Sequence, residues 1–204
     1  MGWPLEEGFD WQPSYNVAPS MRAPVVPNLE RPVVTLCRWG LIPQWAKDQA
    51  IGNRLINARA ETVADKPAFR QAVRKRRCLI LANGFYEWKR EEKGKTPYYI
   101  ELSSNRPAAF AGLWEQWQGP EGGALKTFAV ITTEANALMA PIHNRMPVIL
   151  PPETFARWLA PEPVDPKSLS DLLVPYAATD LVAFPVSKMV NSPTHNAPEL
   201  IRPV

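Results

Sequence analysis

The stretch Arg77-Cys78-Leu79-Ile80-Leu81-Ala82-Asn83-Gly84-Phe85-Tyr86-Glu87-Trp88-Lys89 shows most directly how this chain folds. It contains two short apolar runs, 78–81 and 85–89, which are separated by the turn residues Asn83 and Gly84. Aliphatic and aromatic side chains in runs of this length favour strands. The stretch therefore predicts two strands, with a polar cluster (83–88) at the end of the first.

Runs of the same kind recur along most of the chain. They are bounded by turn residues and lie at 33–39, 55–58, 97–102, 108–114, 126–132, 146–150 and 181–185. So many short strands in one chain imply a curled or barrel-like sheet.

Helical patterns are short and few. They predict helices at 65–77, 134–140, 152–159 and 168–173. The clearest is 65–77, where apolar residues form a stripe among lysines and arginines. Segments 118–124 and 161–166 are predicted loops, and residues 1–26 are poorly patterned. The predicted fold class is α+β, with a mixed, mostly antiparallel, barrel-like sheet and several short helices in a single domain (1–204).

Composition supports one folded domain and excludes several classes of protein. The chain has 204 residues, 46% hydrophobic and 21% charged, which is enough for one good core. Its 23 prolines and 10 glycines make about 16% of the chain, below the roughly 25–30% of disordered low-complexity sequence. A net charge of +3 is too small to indicate a polyanion partner by itself. Any claim of nucleic-acid binding must therefore rest on local residues.

The two cysteines, Cys37 and Cys78, both lie in strand-like apolar runs, so we expect buried structural thiols. A disulfide between them is possible but not implied, and so few cysteines indicate a cytosolic protein. The sequence has no signal-peptide pattern and no run of 18 apolar residues. It also shows no metal-ligand spacing, and we expect neither a metal nor a cofactor. We expect no membrane association and a cytoplasmic protein.

Three polar clusters at the ends of apolar runs carry the groups that catalysis needs. They are Asn57-Ala58-Arg59-Ala60-Glu61-Thr62, residues 83–88, and Pro141-Ile142-His143-Asn144-Arg145-Met146-Pro147. Amides, carboxylates, guanidinium groups and an imidazole on separate elements can converge in one cleft. No Cys, Ser or Thr beside them has a recognisable nucleophile context.

Ordered motifs give the chain a resemblance to a known family. They are Tyr15-Asn16-Val17-Ala18-Pro19, Arg38-Trp39-Gly40-Leu41-Ile42-Pro43-Gln44-Trp45-Ala46, the cluster at 57–62, Gly84-Phe85-Tyr86-Glu87-Trp88-Lys89, the cluster at 141–147 and the tail Asn196-Ala197-Pro198-Glu199-Leu200-Ile201. Together they resemble the SOS-response-associated peptidase family, whose members process abasic sites in single-stranded DNA. The similarity covers residues 15–204, and the order and spacing of the motifs are far more specific than any single motif.

The resemblance implies a barrel-like fold with a positively charged groove for single-stranded DNA. In that family a cysteine at position two, exposed by removal of the initiator methionine, forms a thiazolidine with the ring-opened abasic sugar. Here position two is Gly2. We therefore expect this chain to lack the family's usual N-terminal segment, either because the sequence is incomplete, which we favour, or because it is a natural variant that binds without crosslinking.

The resemblance also implies roles for individual residues. Glu87 and His143 would move protons during imine formation, ring closure and opening of the sugar, and Asn57 would orient the nucleophile. Arg59 and Arg145 have guanidinium groups suited to phosphate oxygens. The other implied DNA contacts are Asn16 and the aromatic faces of Trp45 and Trp88.

Each role has a structural alternative. Glu87 could be ordinary solvent-facing alternation in a strand, His143 a satisfied loop or core residue, and Asn57 a turn residue at a strand end. Arg59 could simply pair with Glu61. We expect Trp39 to belong to the core and His195 to be structural. We expect the basic face of 65–77 to be a solvated surface, as is usual for such helices.

Three functions remain open at this level. The first is abasic-site processing by a monomer that associates with the nucleoid during DNA damage. The second is a non-covalent single-stranded DNA binding module, whose affinity would fall steeply with salt. The third is a peptidase that acts mainly by self-cleavage, although the sequence shows no pocket for a protein substrate.

Overall fold

A computed structural model describes residues 2–120 and 122–204. The strands of this described part are β1 (Arg22–Pro27), β2 (Thr35–Trp39), β3 (Asn57–Arg59), β4 (Arg77–Ala82), β5 (Gly84–Glu91), β6 (Gly94–Leu102), β7 (Ala108–Gln118), β8 (Ala124–Glu134), β9 (Arg145–Pro147) and β10 (Leu181–Pro185). Two short α-helices are present in the same residues, α1 (Arg70–Lys75) and α2 (Phe155–Trp158).

Five strands close into a barrel. They pair in the order β2-β1-β4-β7-β8, and β8 pairs with β2 to complete the circuit. All of these pairings are antiparallel except β2 with β8, which is parallel. Full closure leaves no free edge among these strands. The predicted α+β fold with a mixed, mostly antiparallel, barrel-like sheet is therefore confirmed.

Strand β8 is long enough to hold the site segments beside the barrel. Beyond its pairing with β2, the same edge takes β3 in parallel, with Asn57 opposite Val130 and Arg59 opposite Thr132. Its other edge pairs first with β7 and then with β9, where Glu134 lies opposite Arg145. The end of β8 thus brings the clusters at 57–62 and 141–147 together.

A separate three-stranded antiparallel sheet, ordered β10-β6-β5, carries the third cluster. Strand β5 pairs only with β6 in this sheet, so Glu87 lies on an edge strand. At its start, Gly84 is packed so closely that a Cβ would lie 2.4 Å from the carbonyl oxygen of Ile100. Only glycine fits this approach between β5 and β6 without displacement.

Alternating strand residues fill two large apolar clusters. One contains Val26, Leu79, Ala111 and Ile131 and is covered by the helical segments through Val73 and Trp158. The other contains Cys37, Cys78, Phe110 and Phe128 and packs against the three-stranded sheet through Ile100 and Leu181. Cys78 and Leu79 are neighbours on β4, and Phe110 and Ala111 on β7, yet the members of each pair enter different clusters, because side chains alternate along a strand. The second sheet is thereby fixed to the barrel.

Each predicted strand has a counterpart, but β1 was not predicted. Residues 1–26 looked poorly patterned because Pro24 and Pro27 interrupt the apolar run, and proline usually excludes a residue from a sheet interior. In the structure β1 lies between β2 and β4, and Val25 and Val26 are fully buried. Pro24 pairs with Leu36 of β2 but lies outside the stretch that pairs with β4, so it interrupts no bond to β4.

The predicted helix 65–77 is much shorter in the structure. Residues 65–69 form turns, because Pro67 disfavours helical backbone at the residue before it, and α1 begins at Arg70. At the other end Arg77 already belongs to β4, and its N–H donates to Oδ1 of Asn28 at 2.8 Å. The basic residues of this segment are therefore shared between a turn, a helix of less than two turns and a strand.

The predicted helix 134–140 is wrong. Glu134 is the last residue of β8, and the following segment is a series of turns. Oδ1 of Asn136 accepts the N–H of Met139 at 2.9 Å, a local side-chain bond that competes with helix formation. The helix at 152–159 is present as a 3-10 turn followed by α2, whereas 168–173 falls in a 3-10 helix, Pro166–Leu172.

Both cysteines are buried and free, as predicted. Burial raises the pKa of the Cys37 thiol to about 12, and burial also raises the pKa of Cys78. The predicted loop 118–124 connects β7 and β8, and its residue 121 lies outside the described residues. Among the residues that the structure describes, no helix has the length and apolar character needed to cross a membrane.

Candidate functional site

The acidic and imidazole groups of two predicted clusters meet at one point. Oε2 of Glu87 on β5 lies 3.6 Å from Nδ1 of His143 in the turn before β9. The other carboxylate oxygen accepts the N–H of Trp88 at 3.0 Å. Glu87 is 24% exposed and His143 41%, so both can reach a bound ligand. A carboxylate and an imidazole at this separation can pass protons to a shared substrate.

Strand alternation aims Glu87 toward His143. On β5, Tyr86 and Trp88 pack into an apolar cluster with Tyr99 and Val190, whereas Phe85 faces the barrel core. Because side chains alternate along a strand, Glu87 shares the face of Phe85. The carboxylate is therefore directed to the barrel side of the sheet, where the turn carrying His143 lies.

The turn that carries His143 is fixed at several points. The His143 N–H donates to the carbonyl of Met139 at 2.9 Å, and Nδ2 of Asn136 donates to the carbonyl of Tyr176 at 2.8 Å. Ile142 packs against the barrel core. Nδ1 of His143 also lies 3.2 Å from the backbone N of Arg145, which donates to it. The histidine is held by its loop but not buried.

Asn57 and Arg59 occupy the first and last positions of β3, and both are exposed. Ala58 between them is fully buried in the barrel core, so the two polar side chains share the opposite face. Their partners on β8 are Val130 and Thr132. Strand β3 thus presents an amide and a guanidinium group beside the segment of β8 that leads to His143.

Arg145 is held inside the site by a carboxylate. Its Nη1 and Nη2 donate to the two oxygens of Glu61 at 2.7 and 3.0 Å, and Nη2 also donates to the carbonyl of Thr132 at 2.6 Å. The bond to Arg145 lowers the pKa of Glu61, and burial of the carboxylate opposes this. The alternative in which Glu61 pairs with Arg59 is not what the structure shows, since Glu61 pairs with Arg145.

The predicted aromatic contacts differ in exposure. Trp45 is 61% exposed and borders an open pocket of about 430 Å³ that Lys47 and Arg54 also line. Trp88 is half-buried, and its Nε1 donates to Oδ1 of Asn191 at 2.8 Å. Trp39 packs against the core in a stacked arrangement with Phe128, with ring centroids 6.2 Å apart. Trp45 is therefore the most open face for a base.

Asn16 is buried and ties two distant segments together. It is only 6% exposed, and its Nδ2 lies within 3.1 Å of the carbonyls of Val190, Ser192 and His195. Nearby, Oδ1 of Asn196 accepts the N–H of Tyr15 at 2.6 Å. The Asn16 NH2 group is thus spent within the protein. His195 joins these contacts through its backbone, so the structural role expected of it stays a prediction.

Sequence reasoning overlooked Glu61 as part of the site. It was weighed only as a partner for Arg59, two residues away. The signal that could have found it is charge: Glu61 is the acidic residue of one motif, and Arg145 is a basic residue of another. Buried or half-buried guanidinium groups usually need a carboxylate or carbonyl partner, so the two could have been paired.

Comparison with known proteins identifies relatives of this chain. The sequence profile of the SOS response associated peptidase (SRAP) family matches residues 4–193. The "Abasic site processing protein YoqW" of Bacillus subtilis is 51% identical over 199 residues, which cover 97% of this chain and 88% of that protein. The "Abasic site processing protein HMCES" of Xenopus tropicalis is 32% identical over 229 residues, with 97% and 68% covered.

A solved structure has the same fold. A protein from Bacteroides thetaiotaomicron superposes with a TM-score of 0.82 at 30% identity, covering 91% of this chain and 82% of the other. The family resemblance read from the motifs is thus confirmed over nearly the whole chain.

Proposed function

Because the chain belongs to the SOS response associated peptidase (SRAP) family, we propose that it processes abasic sites in DNA during the response to DNA damage. The observation that carries the proposal is the 3.6 Å approach of Glu87 to His143, two residues from separate motifs. The relatives named as abasic site processing proteins support it. We propose single-stranded DNA as the substrate and a cytoplasmic monomer as the working form.

The reaction that these residues suit is condensation of an N-terminal cysteine with the ring-opened sugar. The α-amine adds to the aldehyde carbon, and loss of water gives an imine. The thiol then adds to the imine carbon, and its proton ends on the nitrogen of the thiazolidine. Glu87 would protonate the departing hydroxyl and accept a proton from the amine, His143 would serve the sugar hydroxyl, and Asn57 would orient the amine.

The two cysteines within the fold are poor substitutes for such a nucleophile. Both are fully buried, and burial raises the pKa of each thiol, so little thiolate forms and none reaches the surface. Neither Cys37 nor Cys78 is therefore expected to bond to an abasic sugar.

DNA contacts are proposed for Arg59, Trp45 and Trp88. Arg59 is exposed and lies at the end of β3, next to Asn57 on the same face. Stacking of a base on Trp45 would contribute about 1–3 kcal/mol, so Trp45→Ala should weaken single-stranded DNA binding by roughly 5- to 150-fold. We do not propose Arg145 as a DNA contact, because its Nη1 and Nη2 already donate to the two carboxylate oxygens of Glu61.

The test uses this chain and a version extended at its N-terminus by a Met-Cys-Gly-Arg segment. Each is incubated with single-stranded DNA that carries one abasic site and then run on a denaturing gel. We expect a slow-migrating crosslink with the extended chain only, and its loss with Asn57→Ala or Glu87→Gln. No crosslink with the extended chain would refute the mechanism.

The matched control for Glu87→Gln is Glu101→Gln. Both carboxylates belong to the three-stranded sheet, but Glu87 pairs with Tyr98 whereas Glu101 pairs with Gly84, which places Glu101 on the opposite face. Glu101→Gln should crosslink as well as the extended parent. Equal loss with both variants would show a general effect on the sheet, not chemistry at Glu87.

Non-covalent binding of single-stranded DNA is the second candidate, and the buried state of both thiols favours it for the chain as it stands. It predicts equal affinity for abasic and intact strands and a steep loss of affinity with salt. Abasic-site processing instead predicts preference for the abasic strand.

A further inference from the structure

The guanidinium group of Arg145 has few donors left for a ligand. Nη2 spends both hydrogens on Glu61 and Thr132, and Nη1 spends one on Glu61. Nε is buried and has no partner among the described residues. One Nη1 hydrogen is left without a partner among the described residues, so Arg145 does not present a bidentate fork to phosphate.

The bonds of Arg145 join the two segments that carry the site. Glu61 lies two residues after Arg59, in the 3-10 turn Ala60–Thr62 that follows β3. Arg145 opens β9, two residues after His143. Thr132 lies between them on β8, opposite Arg59. We call the contact of Glu61, Arg145 and Thr132 the clasp.

The backbone that faces the His143 ring belongs to Arg145, whose side chain is held in the clasp. Nδ1 of His143 has three polar neighbours: the Arg145 N–H at 3.2 Å, the Arg145 carbonyl at 3.3 Å and Glu87 Oε2 at 3.6 Å. The N–H can be accepted only by an Nδ1 without a proton, whereas the two oxygens can be met only by a protonated Nδ1. The three distances differ by only a few tenths of an ångström. A small shift of the Arg145 backbone would therefore change which of the two tautomers of the neutral ring is favoured.

We propose that Glu61 is a positioning residue for His143. Through Arg145 it holds the backbone N–H on Nδ1, so the neutral imidazole carries its proton on Nε2. Glu87 then keeps its carboxylate free of the ring, and Nε2–H is available to a ligand. The use of that proton on an abasic sugar rests on the proposed function, but the tautomer itself does not.

The tautomer can be measured by nitrogen NMR on the free protein at a pH where the ring is neutral. The chain has two histidines, His143 and His195, so a single His143→Gln spectrum assigns both. In the parent we expect His143 to show the pattern of the Nε2–H form. Glu61→Gln keeps the side-chain size but removes the charge, and should shift the His143 signals toward the Nδ1–H form.

Three further variants decide whether the effect runs through Arg145. In an Arg145→Gln background, Glu61→Gln should cause no additional shift. Asp171→Asn is the matched control. It weakens another bidentate arginine–carboxylate pair, in which Arg157 donates to Asp171 at 2.6 and 2.8 Å, away from the site. It should leave His143 unchanged. Unchanged His195 signals in every variant would show that the fold is retained.

Two results would overturn the proposal. One is a His143 signal that stays in place in Glu61→Gln, especially if intact single-stranded DNA then binds more tightly, since Glu61 would be a competitor of phosphate. The other is an additional shift of the His143 signals when Glu61→Gln is introduced into the Arg145→Gln variant. Failure of the parent to distinguish abasic from intact DNA would count against the proposed function only, because the tautomer is measured without DNA.

Discussion

Two arginine–carboxylate pairs with similar closest N–O distances have opposite effects on the pKa of the carboxylate. Arg76 and Glu115, beside the barrel, are 2.8 Å apart, and Arg145 and Glu61, at the candidate site, are 2.7 Å apart. The Glu115 side chain is 3% exposed and Glu61 is 50% exposed. Burial raises the pKa of Glu115 even though Arg76 opposes it, whereas the bond to Arg145 lowers the pKa of Glu61.

The difference teaches that environment, not distance, decides what such a pair does. The buried pair leaves Oε2 of Glu115 and Nε of Arg76 without partners among the described residues, so part of its desolvation is not compensated. The Glu61 carboxylate keeps its contact with water and lies on the rim of the site. It can hold Arg145 in place at little cost and still rearrange when a ligand arrives.

The largest expected effect comes from removing Arg76. Arg76→Met leaves the Glu115 carboxylate buried without its partner and should lower the free energy of unfolding by about 3–5 kcal/mol. Denaturant unfolding monitored by tryptophan fluorescence measures this. Replacing both residues, as Arg76→Met with Glu115→Leu, should restore most of the loss, because no buried charge remains. A double variant as unstable as the single one would contradict this account.

A smaller loss of stability is expected at the site. Arg145→Met removes a pair with one half-exposed partner, which is worth about 0.2–1 kcal/mol, and adds the loss of a bond to the Thr132 carbonyl, about 1 kcal/mol. The same unfolding measurement on Arg145→Met and Arg76→Met tests the order. The comparison fails if the site variant is the less stable of the two.

Much of the fold was predictable because strand patterns are local. The runs at 78–81 and 85–89 became β4 and β5, and the order of motifs identified the family. Strand β1 was missed because its partners, β2 and β4, supply the context that outweighs its prolines. The helix at 134–140 failed because pairing of Glu134 with Arg145 extends β8, a contact that no local pattern reveals.

The site was predictable as a set of residues but not as a set of contacts. The family motifs predict that Glu87 and His143 serve the same reaction, and the structure places them 3.6 Å apart. Asn16, in contrast, lies in a family motif yet spends its amide on carbonyls near the other end of the chain. Which carboxylate would hold Arg145 depended on how β3 and β9 flank β8, and that is a property of the sheet.

The two carboxylates should also give opposite pH dependence. Glu61 has a folded-state pKa below its ordinary value of 4.5, so its stabilisation is present above that value and is lost as the pH falls through the lowered pKa. Glu115 has a raised folded-state pKa, so its contribution is present at low pH and is lost as the pH rises through the raised value.

Unfolding free energies of the parent, Glu61→Gln and Glu115→Gln between about pH 3 and pH 7 measure these slopes. Glu61→Gln should remove part of the acid loss, by an amount kept small by solvent screening. Glu115→Gln should remove part of the decline toward neutral pH. Parallel curves for the two variants would contradict the assignment.

The smallest expected effect is at the exposed pair of Arg157 and Asp171. Its geometry is as good as that of the site pair, with two bonds at 2.6 and 2.8 Å, but its side chains are 49% and 61% exposed. Asp171→Asn should leave the unfolding midpoint unchanged within error, because water and salt screen the pair almost completely. A clear destabilisation here would show that bond geometry alone stabilises these pairs, and the contrast between Glu115 and Glu61 would then need a cause other than burial.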